Sequence, residues 1–243
     1  MSQIVVAPPT LVDRIKGILL TPASEWERIR GEPADVSRLY AGYAAPLAAL
    51  AAICFVIGMT VFGASGFGVT VRLSLTSALI AALSQFVAQL AGIYILALVI
   101  KALAPTFASV PDQGQAHKLA VYASTAGLLA GVFTLLPAIA ILGVLGLYSL
   151  YLLYVGLPRL MGTPEDKRIG YFIAILVSAI VLGVVINVAL QAVQRAAPGM
   201  TLGAPGSSSV QGEVRLPNGA SVDLAEMERA ARQLEAASAS GAA

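Results

Sequence analysis

Between Leu39 and Gln194 the charged residues are confined to a few short clusters, and the stretches between them are long. Leu39–Val71, Leu73–Ile100, Leu119–Pro158 and Ile169–Gln194 contain no Asp, Glu, Lys or Arg. Each is at least the ~20 apolar residues that cross ~30 Å of hydrocarbon. A chain patterned in this way is expected to be an integral membrane protein. Lipid cannot satisfy open sheet edges, and a period-2 alternation is absent, so strands are excluded as a class for crossing.

The four stretches hold five spans. Leu39–Val71 supplies one, about 44 to 63, because Gly63-Ala64-Ser65-Gly66-Phe67-Gly68 reads as a loop. The second runs from about Leu73 to Leu103, closed by Lys101 and Pro105. Leu119–Pro158 is 40 residues long, twice one span, and Pro137 near its middle predicts a tight turn between a third span (118–136) and a fourth (138–157). The fifth is about Ile169–Gln194. The expected fold is all-α: a polytopic bundle of five transmembrane helices with N-terminal amphipathic helices and a small C-terminal soluble tail.

Composition closes off other classes. Charged residues make up 12% of the chain and apolar ones 58%, against roughly 25% charged in soluble domains. A formal net charge of +2 gives no reason to expect nucleic acid. Cys54 is the only cysteine and His117 the only histidine, so neither an internal disulfide nor a multi-histidine metal site is expected. No cofactor is expected. The first ~40 residues are mixed and charged, which predicts no cleavable leader and a first span acting as an uncleaved signal anchor.

Lys and Arg orient such a bundle, because they accumulate on the cytoplasmic side. With the N-terminus inside, ten of them fall inside and five outside: Arg72, Arg195, Arg215, Arg229 and Arg232. The expected topology is N-terminus cytoplasmic and C-terminus extracytoplasmic.

The two ends have their own character. Residues 1–43 predict a cytoplasmic pair of amphipathic helices. Leu11, Ile15, Ile18 and Leu19 share one face of the first, set opposite Asp13, Arg14 and Lys16. Thr21-Pro22 opens the second as N-cap and first-turn proline, and it stops at Gly31. With Trp26 and basic flanks, the pair suits the membrane surface; packing against the bundle stays open as the alternative. After the spans (44–194), residues 195–211 read as a flexible linker. Residues 212–243 read as a short extracytoplasmic tail with a hairpin turning at Asn218-Gly219 and a helix capped by Asp223 and Glu226.

These residues resemble a known family. Tyr148-Ser149-Leu150-Tyr151-Leu152-Leu153-Tyr154-Val155-Gly156-Leu157-Pro158-Arg159-Leu160-Met161, then Pro164-Glu165-Asp166-Lys167 and Gly170-Tyr171, look like the fourth-span exit of bacterial Yip1-domain proteins. The opening Arg14-Ile15-Lys16-Gly17-Ile18-Leu19-Leu20-Thr21-Pro22, with Trp26, Leu39-Tyr40, Tyr43 and Pro46, is similar to theirs, as is Leu216-Pro217-Asn218-Gly219 with Val222-Asp223-Leu224. The resemblance implies five helices with a cytoplasmic N-terminus. It implies no enzyme and no agreed substrate for the bacterial branch, and the Rab partners of eukaryotic relatives are not carried over.

Two sets of residues are candidates for function. Arg14, Lys16, Trp26 and Arg28, with Arg159, Lys167 and Arg168 of the link between spans four and five, are expected to form one cytoplasmic interaction face. Near an anionic surface each Lys or Arg there adds about 1 kcal/mol, although such residues also serve simply to enforce orientation. Within the bilayer, Gln85 and Gln89 share a face of span two, and Asn187 and Gln191 one of span five. These amides are expected to face the bundle interior, as interhelical hydrogen bonds or as the lining of a polar cavity. Gly63-Ala64-Ser65-Gly66 is similar to the Gly-x-Ser-Gly of rhomboid proteases, but the topology sets Ser65 and His117 on opposite sides of the bilayer.

Two function classes follow. The first is a non-enzymatic membrane-organising or adaptor protein working through cytoplasmic contacts. The second is a small permease, channel or lipid-handling protein using the neutral amides. The absence of ionisable residues from mid-span favours the first. Expected partners are the lipid bilayer and either another protein or a second copy of the chain, with no nucleic acid.

Overall fold

The computed structural model describes residues 9–66, 69–196, 213–215 and 221–223. Two short helices come first, α1 (Leu11–Leu20) and α2 (Pro22–Gly31). Five helical segments long and apolar enough to cross a membrane follow: Val36–Phe62, Leu75–Phe107, Gln113–Leu135, Ile141–Met161 and Glu165–Ala192. Five crossings put α1 and α2 on the face of the bundle opposite to the end of the fifth span.

Local chemistry accounts for most of the boundaries. Thr10 caps α1, its hydroxyl accepting from the Asp13 amide at 3.2 Å and donating to the Asp13 carboxylate at 2.6 Å. Pro22 holds the first turn of α2, but the Thr21 hydroxyl turns back to the Gly17 carbonyl at 3.2 Å instead of capping it. Gly63, at φ 75°, ends the first span in a conformation that costs an L side chain. Leu136, extended at φ −122°, and Pro137 make the turn between spans three and four. On both sides of that turn the backbone is wound as 3₁₀ helix, over Gly131–Leu135 and Pro137–Leu147. Eleven residues is long for this tighter coil.

The spans begin earlier on the N-terminal face than apolar content alone indicated. The first reaches back to Val36 through a π-helical turn at Tyr40–Ala44. The third begins at Gln113 under the Asp112 cap, so His117 and Lys118 belong to a helix and not to a loop. The Gly63–Gly68 stretch is not wholly a loop either. Ala64–Gly66 (β1) pairs antiparallel with Val69–Val71 (β2), because two antiparallel spans bring its ends together. Glu213–Arg215 (β3) pairs with Ser221–Asp223 (β4) in the tail, and β3 lies beside β2. The expected hairpin strands are therefore present; its turn at Asn218-Gly219, the linker and the helix after Asp223 lie outside the described residues. Among the described residues strands occur only in these two ribbons, outside the spans.

The buried core runs from α1 and α2 down through the first, third and fourth spans, with Ile18, Trp26, Ile29, Leu119, Leu152, Leu157 and Met161 at its centre. The fifth span is peripheral. Only 6% of its most apolar stretch is buried, and it is moored to the second near the N-terminal face by the Tyr171 hydroxyl, which donates to the Ile100 carbonyl, and by Tyr171 stacked on Phe107 at 5.1 Å.

Candidate functional site

The α1–α2 hairpin is locked onto the bundle. Each helix end leaves carbonyls that its own turns cannot satisfy, and the spans satisfy them here. Tyr148 donates its hydroxyl to the Leu19 carbonyl of α1 at 3.0 Å. Lys118 donates its ammonium to the Ile29 carbonyl at 2.9 Å and the Glu32 carbonyl at 2.5 Å, and Gln115 reaches the Arg30 carbonyl at 3.2 Å. A cation at a helix C-terminus is also favoured by the helix dipole.

Trp26 is the apolar anchor of this cap. It has no exposed surface and seats against Gly156, where a Cβ would come within 2.9 Å of the indole Cε2 and 2.5 Å of Leu119 Cδ1. Its ring meets Tyr122 edge-on at 6.4 Å, and Tyr122 meets Tyr43 at 4.7 Å. The indole N–H is buried without a hydrogen-bond partner among the described residues.

Arg14 is the polar anchor. Its guanidinium donates to Glu25 at 2.6 Å and to Glu32, and stands 5.4 Å over the Tyr122 ring. Burial disfavours its charge, but the hydrogen bond to Glu32 and the nearby Glu25 carboxylate outweigh that and hold its pKa above the ordinary value. Asp13, in contrast, is held below the usual carboxylate range chiefly by the Thr10 hydroxyl.

The structure therefore divides the expected interaction face. Both Arg14 and Trp26 are buried: Trp26 offers nothing to a surface, and Arg14 reaches only the wall of the cleft described below. Helical arithmetic explains Arg14: positions 11, 14, 15 and 18 form one stripe, so Arg14 lies on the apolar face with Leu11, Ile15 and Ile18, not opposite it. Arg159 and Arg168 are half-committed. Arg159 donates to the Val155 carbonyl at 2.8 Å and lies 3.5 Å from Glu27; Arg168 covers the Tyr154 ring at 5.7 Å and lies 3.5 Å from Glu165. Lys16, Arg28 and Lys167 are exposed. The ten basic side chains of this end are met by eight acidic ones, so its surface is mixed rather than strongly positive.

Between α1, α2 and the first and third spans lies a cleft of about 860 Å³. Arg14, Glu32, Tyr43, Lys118 and Tyr122 line it together with Arg28 and Arg38. The Arg38 guanidinium is exposed and has no partner among the described residues. Neither Arg38 nor the acids Glu25 and Glu32 was singled out from the sequence. The signal for the acids was Arg14 itself, since an arginine in an apolar stripe needs carboxylates.

Beside the cleft, Tyr40 and His117 share a 3.2 Å hydrogen bond near the N-terminal ends of the first and third spans, and His117 packs on Tyr94 at 4.9 Å. Among the described residues no group of His, Cys, Asp and Glu could hold a metal. The amide pairs do come together. Gln85, Gln89 and Asn187 line one groove between spans two and five, and Gln191 donates to Asn187 at 2.6 Å. The groove lies on the outside of the bundle, however, with Gln85, Asn187 and Gln191 exposed and Gln89 half-buried. The expectation that Gln85 and Asn187 face the interior is corrected: both are exposed, because among the described residues the fifth span packs mainly on the second and leaves that face uncovered.

One family model matches the chain, the Yip1 domain, over residues 16–186. No curated protein and no solved structure matches.

Proposed function

Since the chain belongs to the Yip1-domain family, as a multi-pass membrane protein, we propose that it is a non-enzymatic membrane-organising or adaptor protein, docking a protein partner on the cap formed by α1, α2 and the ends of spans one and three. We further place this cap in the cytoplasm, and the tail outside, in a bacterial inner membrane. Ten Lys and Arg against five support that orientation.

The observation that carries the reading is the cleft of about 860 Å³ in a cap held rigid by Trp26, Arg14 and Lys118. A preformed surface with fixed walls spares a partner the ordering cost of binding. The near balance of acids and bases favours a protein of mixed charge over an anionic membrane. Arg38 stands in the lining with an exposed guanidinium suited to a partner's carboxylates, and Arg28 beside it is exposed but lies 3.8 Å from the buried Glu25.

A photoreactive amino acid at Pro33, in the cleft lining, tests this in native membranes. A discrete protein adduct that disappears in the Arg28→Glu/Arg38→Glu variant is expected. Adducts with lipid alone, or a protein adduct indifferent to both reversals, would overturn it.

A further inference from the structure

The groove between spans two and five is unusual for a surface in contact with lipid. Gln85 and Gln89 lie twelve to sixteen residues before Lys101, about 18 to 24 Å along the helix, and so within the ~30 Å hydrocarbon layer. Neither makes a side-chain hydrogen bond to any described residue. Asn187 accepts from Gln191 at 2.6 Å, while its own amide N–H groups donate to no described residue. Acyl chains offer these groups nothing, and an unpaired amide in hydrocarbon is costly.

The walls beside the amides are low. Ala88, Gly92, Ala179 and Gly183 line the same groove, and a Cβ built on Gly183 would meet nothing within 4 Å. Another helix can approach here closely.

We propose that this groove is the interface between two copies of the chain, with Gln85, Gln89 and Asn187 pairing across a twofold axis normal to the membrane. Two features select a second copy as the occupant. A carboxamide is donor and acceptor at once, so a cluster of three complements itself. A twofold axis along the membrane normal also sets each amide opposite its equivalent at the same depth. A different chain would need polar groups at the same levels by coincidence. This interface is remote from the cap, so the two readings stand or fall separately.

The test uses full-length protein in two ways. First, Ala88→Cys and Gly183→Cys are each placed in a Cys54→Ala background and oxidised in native membranes, with Ile53→Cys and Leu145→Cys as exposed controls on spans one and four. Disulfide-linked dimers are expected from the groove positions and not from the controls. Second, fluorescently labelled protein is diluted in liposomes and association followed by energy transfer. The triple variant Gln85→Leu/Gln89→Leu/Asn187→Leu suits a lipid environment and should fold. At about threefold per lost interhelical hydrogen bond, it should associate on the order of 30-fold more weakly. Equal cross-linking from the controls, wild-type monomers at every dilution, or undiminished association of the triple variant would overturn the interface. So would a monomer whose conduction of a polar solute is abolished by the same substitutions.

Discussion

Arg14 shares one positive charge between two carboxylates, and its pair with Glu25 is almost wholly withdrawn from water. Removing one partner of such a pair leaves an uncompensated buried charge, at about 3–5 kcal/mol. Arg14→Ala should therefore sharply lower the thermal stability of the cap, read as accelerated proteolysis within α1 and α2. Arg14→Met combined with Glu25→Met should recover most of that loss, since Glu32 is partly exposed and can rehydrate. Equal damage from the single and double variants would show that the ion pair is not what the cap depends on. Asp13 behaves differently. Because Thr10 lowers its pKa, the stabilisation is present above the ordinary carboxylate range and is lost as pH falls through the lowered value. Hydrogen exchange in the first turn of α1 should quicken only under those acidic conditions. The charge of Arg14 was visible in the sequence, but its direction was not. A stripe defined by apolar residues alone omits an arginine that belongs to it geometrically.

At the scale of elements, closeness of backbones decides which changes are tolerated. A Cβ on Gly58 of the first span would lie 2.1 Å from the Thr134 carbonyl oxygen, and backbone cannot step aside as a side chain can. Gly58→Ala should separate the first span from the hairpin of spans three and four, at a cost of about 1–3 kcal/mol or more. Gly42→Ala, with nothing within 4 Å of the new methyl, should be neutral or stabilising by roughly 0.5–1 kcal/mol. Melting temperatures of the two purified variants distinguish a packing requirement from a general intolerance of alanine. The elements themselves were largely legible, because hydrocarbon thickness fixes the length of a span and Pro137 leaves few ways to divide 40 uncharged residues. Their ends were less legible. Apolar content says nothing of the π-helical turn at Tyr40–Ala44 or of His117 and Lys118 continuing a helix beneath α2. The facing of the amides also escaped, because helical period identifies a shared face but not what the face meets.

For the molecule as a whole, five spans, an odd number, predict that the two ends of the chain lie on opposite sides of the membrane. A reporter fused after Ala243 should be active outside the cytoplasm, and one fused before Met1 inside. The position of β3 beside β2 agrees with this, since the loop after the first span and the tail must then share a compartment. A cytoplasmic C-terminus would remove one crossing and refute the hairpin at Pro137. The positive-inside count supplies the orientation to expect, and the reporters test it. It could not reveal that the N-terminal end is knitted to the third and fourth spans, since that depends on contacts between residues about 100 positions apart.

The seating of Trp26 against Gly156 has a consequence for the order in which the protein is made. The two residues are 130 positions apart in the chain. At 5–20 residues per second, on the order of ten seconds pass between the emergence of the indole and that of its pocket. During that interval α1 and α2 leave the ribosome with their apolar stripe and the Arg14 ion pair unsheltered, while spans one to three are inserted. Nascent chains stalled before Gly156 should be open to protease in α1 and α2, and those released beyond it protected. The seat of the cap is therefore complete only on a chain whose fourth span has been synthesised.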